Sequence, residues 1–232
     1  MKQMNRASAP LITLDGPSAT GKSSVAWAVS KKLGLKFLNS GSLYRIAAYY
    51  VDKNQYQLDE IECIAEQINK DNISFEVSAG KKSYCTCLNG VDISNQINND
   101  NIASIASSLS KNELLRRALV KKQQDFYQKP GLIADGRDMG SCIFPEASHK
   151  FFLTASANIR AERRYKELQN RQIHAKFTEV LESLVKRDEQ DATRSTAPLV
   201  IPPEAIVIDT SQMSFDAVVE EVIDHCCIDE WC

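Results

Sequence analysis

PLITLDGPSATGKSS, residues Pro10 to Ser24, carries a strand, a glycine-bounded loop and a helix start in one continuous run. Its centre has the spacing G-x-x-x-x-G-K-[ST], filled by Gly16, Pro17, Ser18, Ala19, Thr20, Gly21, Lys22 and Ser23 and followed by Ser24. In such a loop the backbone N–H groups surround a di- or triphosphate, the lysine reaches the outer phosphates, and the hydroxyl is set to ligate a magnesium ion on them. At Gly16 and Gly21 a Cβ would block either the positive φ angles of the turn or the close approach of phosphate oxygens. Leu11 to Leu14 read as a short buried strand, and Ser24 to Leu33 as an amphipathic helix whose N-terminus faces the loop. The alternative is an ordinary strand-turn-helix without a ligand.

The chain has 232 residues, enough for one sizeable α/β domain with room for an insertion or a small second domain. A hydrophobic fraction of 43% and a charged fraction of 25% are those of an ordinary soluble globular protein. With 28 basic and 30 acidic side chains the formal charge is −2, so no global positive field would draw a long nucleic acid, and anion binding has to be local. No signal-peptide core and no long apolar run occurs, so the expectation is a soluble cytoplasmic protein off the membrane. The seven cysteines are then expected as thiols. His225, Cys226, Cys227 and Cys232 match no zinc spacing and read as core and surface residues.

Along the chain, Gly34 stops the first helix and Leu35 to Leu38 form a second strand. Asn39, Ser40 and Gly41 lead into a helix over Leu43 to Val51 that carries Tyr44 and Arg45. Ligands of an open parallel sheet lie outside the carboxyl ends of its strands, so Ser40 and Arg45 share a rim with the loop. From Asp52 to Asn99 the composition turns Asn-, Gln- and Lys-rich. Leu58 to Ile68 has helical spacing, Ile73 to Val77 alternates as a strand, and Asn89-Gly90 joins two β-prone runs as a hairpin. This stretch reads as a small α+β insertion. Helices follow over Ile102 to Leu109 and Leu114 to Tyr127, the second capped by Ser110 or Asn112. Its charged run Arg116, Arg117, Lys121 and Lys122 covers more than one helical face and reads mostly as solvated surface, with room for an arginine to turn inward.

GLIADGRDMG, Gly131 to Gly140, ends an apolar strand in Asp135, Arg137 and Asp138. Charges crowded at a strand's carboxyl end are costly unless they bind something. After a strand at Lys150 to Leu153 come two helices, Ala157 to Asn170 with Arg160, Arg163 and Arg164, and Phe177 to Asp191. Arg187, Asp191 and Arg194 stand at i, i+4 and i+7, along one helix face suited to a mobile cover over phosphates. A last strand at Ala205 to Asp209 and a helix at Phe215 to Cys226 close the chain. The inventory suits phosphoryl transfer between two bound nucleotides better than hydrolysis, because a cover excludes water and cations stabilise the transferring group.

ITLDGPSATGKSSVA, NSGSLYR, GLIADGRDMG, KRDEQDATRSTAPL and AIVIDTS, in that order, resemble the bacterial cytidylate kinases over nearly the whole chain. The resemblance implies a three-layer P-loop fold with a parallel sheet, a helical lid and a small α+β NMP-binding insertion. It divides one kinase domain, residues 1–232, into a core (1–51, 100–155 and 196–232), an insertion (52–99) and a lid (156–195). It implies phosphorylation of CMP and dCMP by ATP with Mg2+, by a cytoplasmic monomer. Gly16 to Ser24 would bind ATP, Lys22, Arg137, Arg163, Arg164 and Arg194 would serve transfer, and Ser23 or Ser24 would serve the metal. Ser40, Arg45 and Arg137 would hold the acceptor phosphate. Ser107, Arg116 and Asp138 would read cytosine, while Arg187 and Asp191 would contact the ribose, and Asp135 would lie on the same rim. A carboxylate accepts from the exocyclic amino group of cytosine and not from the carbonyl of uracil. Two positions depart from the pattern. Asn39 stands where aspartate is common, and Ser23 and Ser24 stand where some members carry glycine and threonine. Of the other classes, a regulatory GTPase would need an Asn-Lys-x-Asp motif, which Asn69-Lys70-Asp71-Asn72 fails at its fourth place. A P-loop kinase for another small metabolite would not need Ser107, Arg116 and Asp138, and a non-catalytic nucleotide binder would show no transfer.

Overall fold

β1 (Leu11–Asp15) is buried along its whole length, because it runs through the middle of a parallel sheet with a neighbour on each side. The computed structural model describes residues 9–54, 56, 60–78 and 83–227. The sheet has five strands in the order β2 (Lys36–Asn39), β6 (Leu132–Asp135), β1, β7 (His149–Thr154), β8 (Ile206–Asp209), all parallel. Leu11 pairs with Leu132 and Leu14 with Phe151.

Side chains alternate between two layers of helices, as the pleat requires. On one face Ile12, Leu14, Phe37, Ile133, Phe151, Leu153 and Ile208 meet α1 (Lys22–Leu33) and α9 (Phe215–Cys227). On the other, Leu11, Leu38, Leu132 and Ala134 meet α2 (Ser40–Asn54), α5 (Asp100–Leu109) and α6 (Glu113–Gln124). That second core continues into Ile61, Ile64 and Ile68 of α3 (Ile61–Lys70), so the inserted region shares its apolar interior with the sheet.

A separate antiparallel sheet, β3 (Ile73–Val77), β4 (Tyr84–Leu88) and β5 (Val91–Asp92), follows α3. Asn89 and Gly90 turn between β4 and β5 with φ of 50° and 80°, the left-handed pair that makes Asn-Gly a tight hairpin signal. The short α4 (Ser94–Ile97) leads back to α5. α7 (Ala157–Asn170) and α8 (Phe177–Thr193) pair through a small core of their own, Ala161, Leu168, Val180 and Leu184, against which Ala19 of the glycine loop packs.

Several boundaries differ from the periodicity. α2 starts at Ser40, ahead of Leu43, because the Asn39 Oδ1 accepts from Ser42 N at 2.9 Å and caps the first turn. Leu58, expected in α3, lies outside the described residues. Asn112 caps α6, with its Oδ1 accepting from Leu115 N at 3.1 Å, and Ser110 ends α5. Of the charged run on α6, Arg116 is the arginine that turns inward. Arg194 lies one residue past α8 in extended backbone, so it is not the third member of a helical stripe. Cys63, Cys85, Cys87, Cys142 and Cys226 are free thiols; the Cys227 side chain and Cys232 lie outside the described residues. No helix among the described residues is long and apolar enough to cross a membrane.

Candidate active site

All five parallel strands end on polar side chains at the same edge: Asp15, Asn39, Asp135, Thr154 and Asp209. The loop from Gly16 to Gly21 leaves β1 there and enters α1, whose first N–H groups face into it. Gly16 has a φ of 141°, and a Cβ built on it would stand 2.0 Å from the carbonyl oxygen of Leu153. The close approach that demands glycine is therefore to β7, and Gly21, at a φ of 90°, answers to the turn itself.

Lys22 opens α1 and is buried, its Nζ donating to Pro17 O at 2.8 Å. Burial, and then the Arg137 charge, push its ammonium down to about 7, against the pull of Asp135. Asp135 moves the opposite way, raised chiefly by burial. It accepts from Ser23 Oγ at 2.5 Å and from Asn39 Nδ2 at 2.9 Å on the same oxygen, while its Oδ1 is buried without a protein partner. Ser23 thus reaches an acid, and exposed Ser24 has no such link. Asp135 thus touches both the start of α1, through Ser23, and the end of β2, through Asn39.

Arg137 joins two elements. Its Nη2 donates to Ser18 Oγ at 2.7 Å and its Nε to Asp191 Oδ2 at 2.9 Å, so one planar guanidinium spans the glycine loop and α8. Asp138 follows it into the interior and pairs with Arg116, both almost fully buried. The Arg116 guanidinium lies 5.7 Å from the Tyr44 ring centre and donates to Ser110 O at 3.1 Å. Ser107, half-buried on α5, connects to this pair through Ser110, whose hydroxyl donates to the Ser107 carbonyl at 2.8 Å. Arg194 approaches both Asp138, at 3.8 Å, and Asp191, at 3.6 Å.

The remaining cations are held by contacts of their own. Arg45 donates to Ile97 O at 2.8 Å, and Ser40 Oγ to Gln123 Oε1 at 2.7 Å. Arg163 donates to Thr20 O at 3.2 Å and to both oxygens of Thr210. Arg164 is farther out, paired with Glu167 at 2.9 Å and Asp100 at 3.5 Å. Arg187 is partly buried, its Nε enclosed without a protein partner, and burial and then Arg137 hold it down at about 10. Burial would raise Asp191, yet the neighbouring Arg137 and Arg187 hold it below the usual carboxylate range. Cations that depress one another around a lysine-bearing loop form a site that gains when a polyanion enters.

Three contributors escaped the sequence reading. Asp15 is fully buried and accepts from Met139 N and Gly140 N, each at 2.8 Å. It thereby anchors a π-helical turn, Met139–Ile143, directly behind Asp138. Burial raises its carboxyl to about 7. The polar end of the LITLD run was the available signal. Arg160, buried, pairs with Asp188 at 2.6 Å and donates to Ser18 O at 3.3 Å, tying α7 and α8 to the loop. Tyr84 of β4 accepts from Asn39 Nδ2 at 2.8 Å; nothing in its local sequence signals that contact.

The family model described as Cytidylate kinase matches residues 12–227. A cytidylate kinase of Burkholderia multivorans is 40% identical over 214 residues, covering 92% of this chain and 91% of the relative. Those of Coxiella burnetii and Pasteurella multocida are 39% and 38% identical over 94% and 93% of this chain, and over 92% and 94% of their own.

Proposed function

The chain belongs to the cytidylate kinase family, and from that we propose the following division of labour for the transfer of the γ-phosphoryl group of ATP to CMP or dCMP. The loop from Gly16 to Ser24 holds the donor phosphates through its backbone N–H groups, with Lys22 on the outer phosphates. Arg137, between Ser18 and Asp191, faces the transferring group. Ser40, Arg45 and Arg137 hold the acceptor phosphate, and Arg187 and Asp191 the ribose. Arg116, Asp138 and Ser107 read the cytosine, Asp138 accepting from its amino group. Arg163, Arg164 and Arg194 supply positive charge from the lid side.

An oxygen of the acceptor phosphate attacks the γ-phosphorus, the bond from that phosphorus to the bridging oxygen breaks, and ADP and CDP leave. The nucleophile is already anionic near neutral pH, so no general base is required. The protein's work is alignment, exclusion of water and stabilisation of charge on the equatorial oxygens. Magnesium suits the donor side, where the Ser23 hydroxyl adjoins Asp135 and the buried Asp135 Oδ1 lacks a protein partner. Bound with ATP, it neutralises phosphate charge. We read the enzyme as a monomer acting on two nucleotides, with no role for long nucleic acid.

The observation that carries this reading is the buried Arg116–Asp138 pair next to Arg137, on the same strand end as the lysine-bearing loop. The test is ADP release measured with a panel of nucleoside monophosphates. CMP and dCMP should be turned over, with UMP lower by about tenfold or more for want of the amino donor. Equal turnover of AMP or GMP, or ADP release without an acceptor, would reject it.

A further inference from the structure

Tyr84 belongs to the small antiparallel sheet and to none of the groups assigned above to either nucleotide. Its ring packs with Phe37, Trp27 and Phe75 at centroid distances of 4.9, 5.6 and 5.9 Å. Its hydroxyl reaches the ends of β2 and β6. There Asn39 Nδ2 donates to Tyr84 Oη at 2.8 Å and to Asp135 Oδ2 at 2.9 Å. The amide cannot turn over, because its Oδ1 caps α2 at Ser42 N. Both amide hydrogens are therefore spent. Ser23 Oγ meets the same Asp135 oxygen, Oδ2, at 2.5 Å. Tyr84 from β4, Asn39 from β2, Asp135 from β6 and Ser23 from α1 thus form one chain of contacts, in which the Asn39 amide bridges the phenol to the carboxylate that holds the serine.

We propose that Tyr84 is a positioning residue for the donor half of the site: its hydroxyl holds the Asn39 amide against Asp135, and Asp135 in turn orients the Ser23 hydroxyl beside the cation bound with the ATP phosphates. The small sheet then completes the donor site as well as bordering the acceptor site. The proposal rests on the reading of Ser23 as the metal-side serine.

Tyr84→Phe removes the hydroxyl and keeps the ring in its aromatic cluster. The experiment compares wild type, Tyr84→Phe, Ser23→Ala and the double variant by calorimetric titration with ADP in magnesium and with ADP in chelator, alongside kcat and the KM for CMP. Tyr84→Phe should weaken magnesium–ADP binding by about fivefold, a typical effect of one lost hydrogen bond, and leave metal-free ADP unchanged. Its kcat should fall with the KM for CMP unmoved, and the double variant should be no weaker than Ser23→Ala. Equal loss with and without metal, no loss in either, or an additive double variant would overturn the proposal. Should Ser23→Ala itself leave magnesium–ADP binding intact, the reading of Ser23 fails and Tyr84 loses its object; Ser23→Ala effective with Tyr84→Phe silent removes Tyr84 alone.

Discussion

Arg137 and Asp191 form the ion pair that ties the carboxyl end of β6 to helix α8, with Nε and Oδ2 2.9 Å apart. The same guanidinium holds Ser18 of the glycine loop, so its position is set from two directions at once. A lysine would keep the charge but, as a point charge on a flexible stem, could not serve both partners in one plane. Arg137→Lys should therefore lower kcat by about 100-fold, the usual scale for losing one oriented stabiliser of developing charge. Melting temperature should hardly change. Steady-state kinetics beside a thermal melt checks this, and a kcat close to wild type would detach Arg137 from the transferring group.

Arg116 and Asp138 pose a different question, because both ends of that pair are almost fully out of solvent. Removing one partner strands the other, at a cost of about 3–5 kcal/mol, whereas replacing both with apolar groups of similar size is often close to neutral. Asp138→Ala should thus lose both stability and the preference for CMP over UMP. Arg116→Met combined with Asp138→Leu should regain most of the stability and none of the CMP turnover. Denaturant unfolding and the nucleotide panel separate the two roles. If the double variant turns over CMP normally, the pair is structural only.

The contrast between these two arginines marks how far local sequence carried. The glycine loop, the positions of the five parallel strands and the Asn89-Gly90 hairpin are written in short-range spacing, although the last strand, β8, lies at the sheet edge with Val207 half exposed. DGRDMG was also legible, because three charges at the end of an apolar strand need a reason. Asp15 was legible only as the polar end of an apolar strand: its partners, Met139 and Gly140, lie far along the chain, and only parallel pairing of β1 with β6 brings them together. Tyr84 and Arg160 were missed for the same cause, as ordinary members of an amphipathic strand and helix. Arg194 shows the opposite error, where a helical period continued on paper past the point at which α8 ends and the chain turns back toward Asp138.

Lys22 gives a pH test with a definite sign. In the free protein burial and Arg137 push its ammonium down to about 7, so above that pH it is increasingly neutral. A bound polyphosphate favours the charged form and should return the lysine toward its ordinary range. ADP binding at pH 8, where the ligand's phosphates are already ionised, should then take up a large part of a proton, and the uptake should shrink as the pH falls toward 6. Calorimetry in buffers of different ionisation enthalpy measures that uptake directly. Lys22→Met should abolish the pH 8 uptake; proton release, or uptake that survives the substitution, would mean that another group titrates.

The lid offers the last test, because α7 and α8 close on a small core of four buried side chains, Ala161, Leu168, Val180 and Leu184, apart from the two cores that flank the sheet. What holds the pair against the rest of the molecule is largely polar: Arg160 on Ser18 O, Arg163 on Thr20 and Thr210, and Arg137 on Asp191. Leu168→Ala removes a large share of so small a core, costing about 2–5 kcal/mol of local stability. That loss should appear as faster amide exchange across α7 and α8, with protection in β1, β6 and β7 preserved, since low-stability units open without the whole. Turnover should fall in parallel, because Asp191, Arg187 and Arg163 ride on those helices. Uniform loss of protection through all five strands would instead show that lid and sheet open as one cooperative unit, and that closure over the phosphates is not an independent motion.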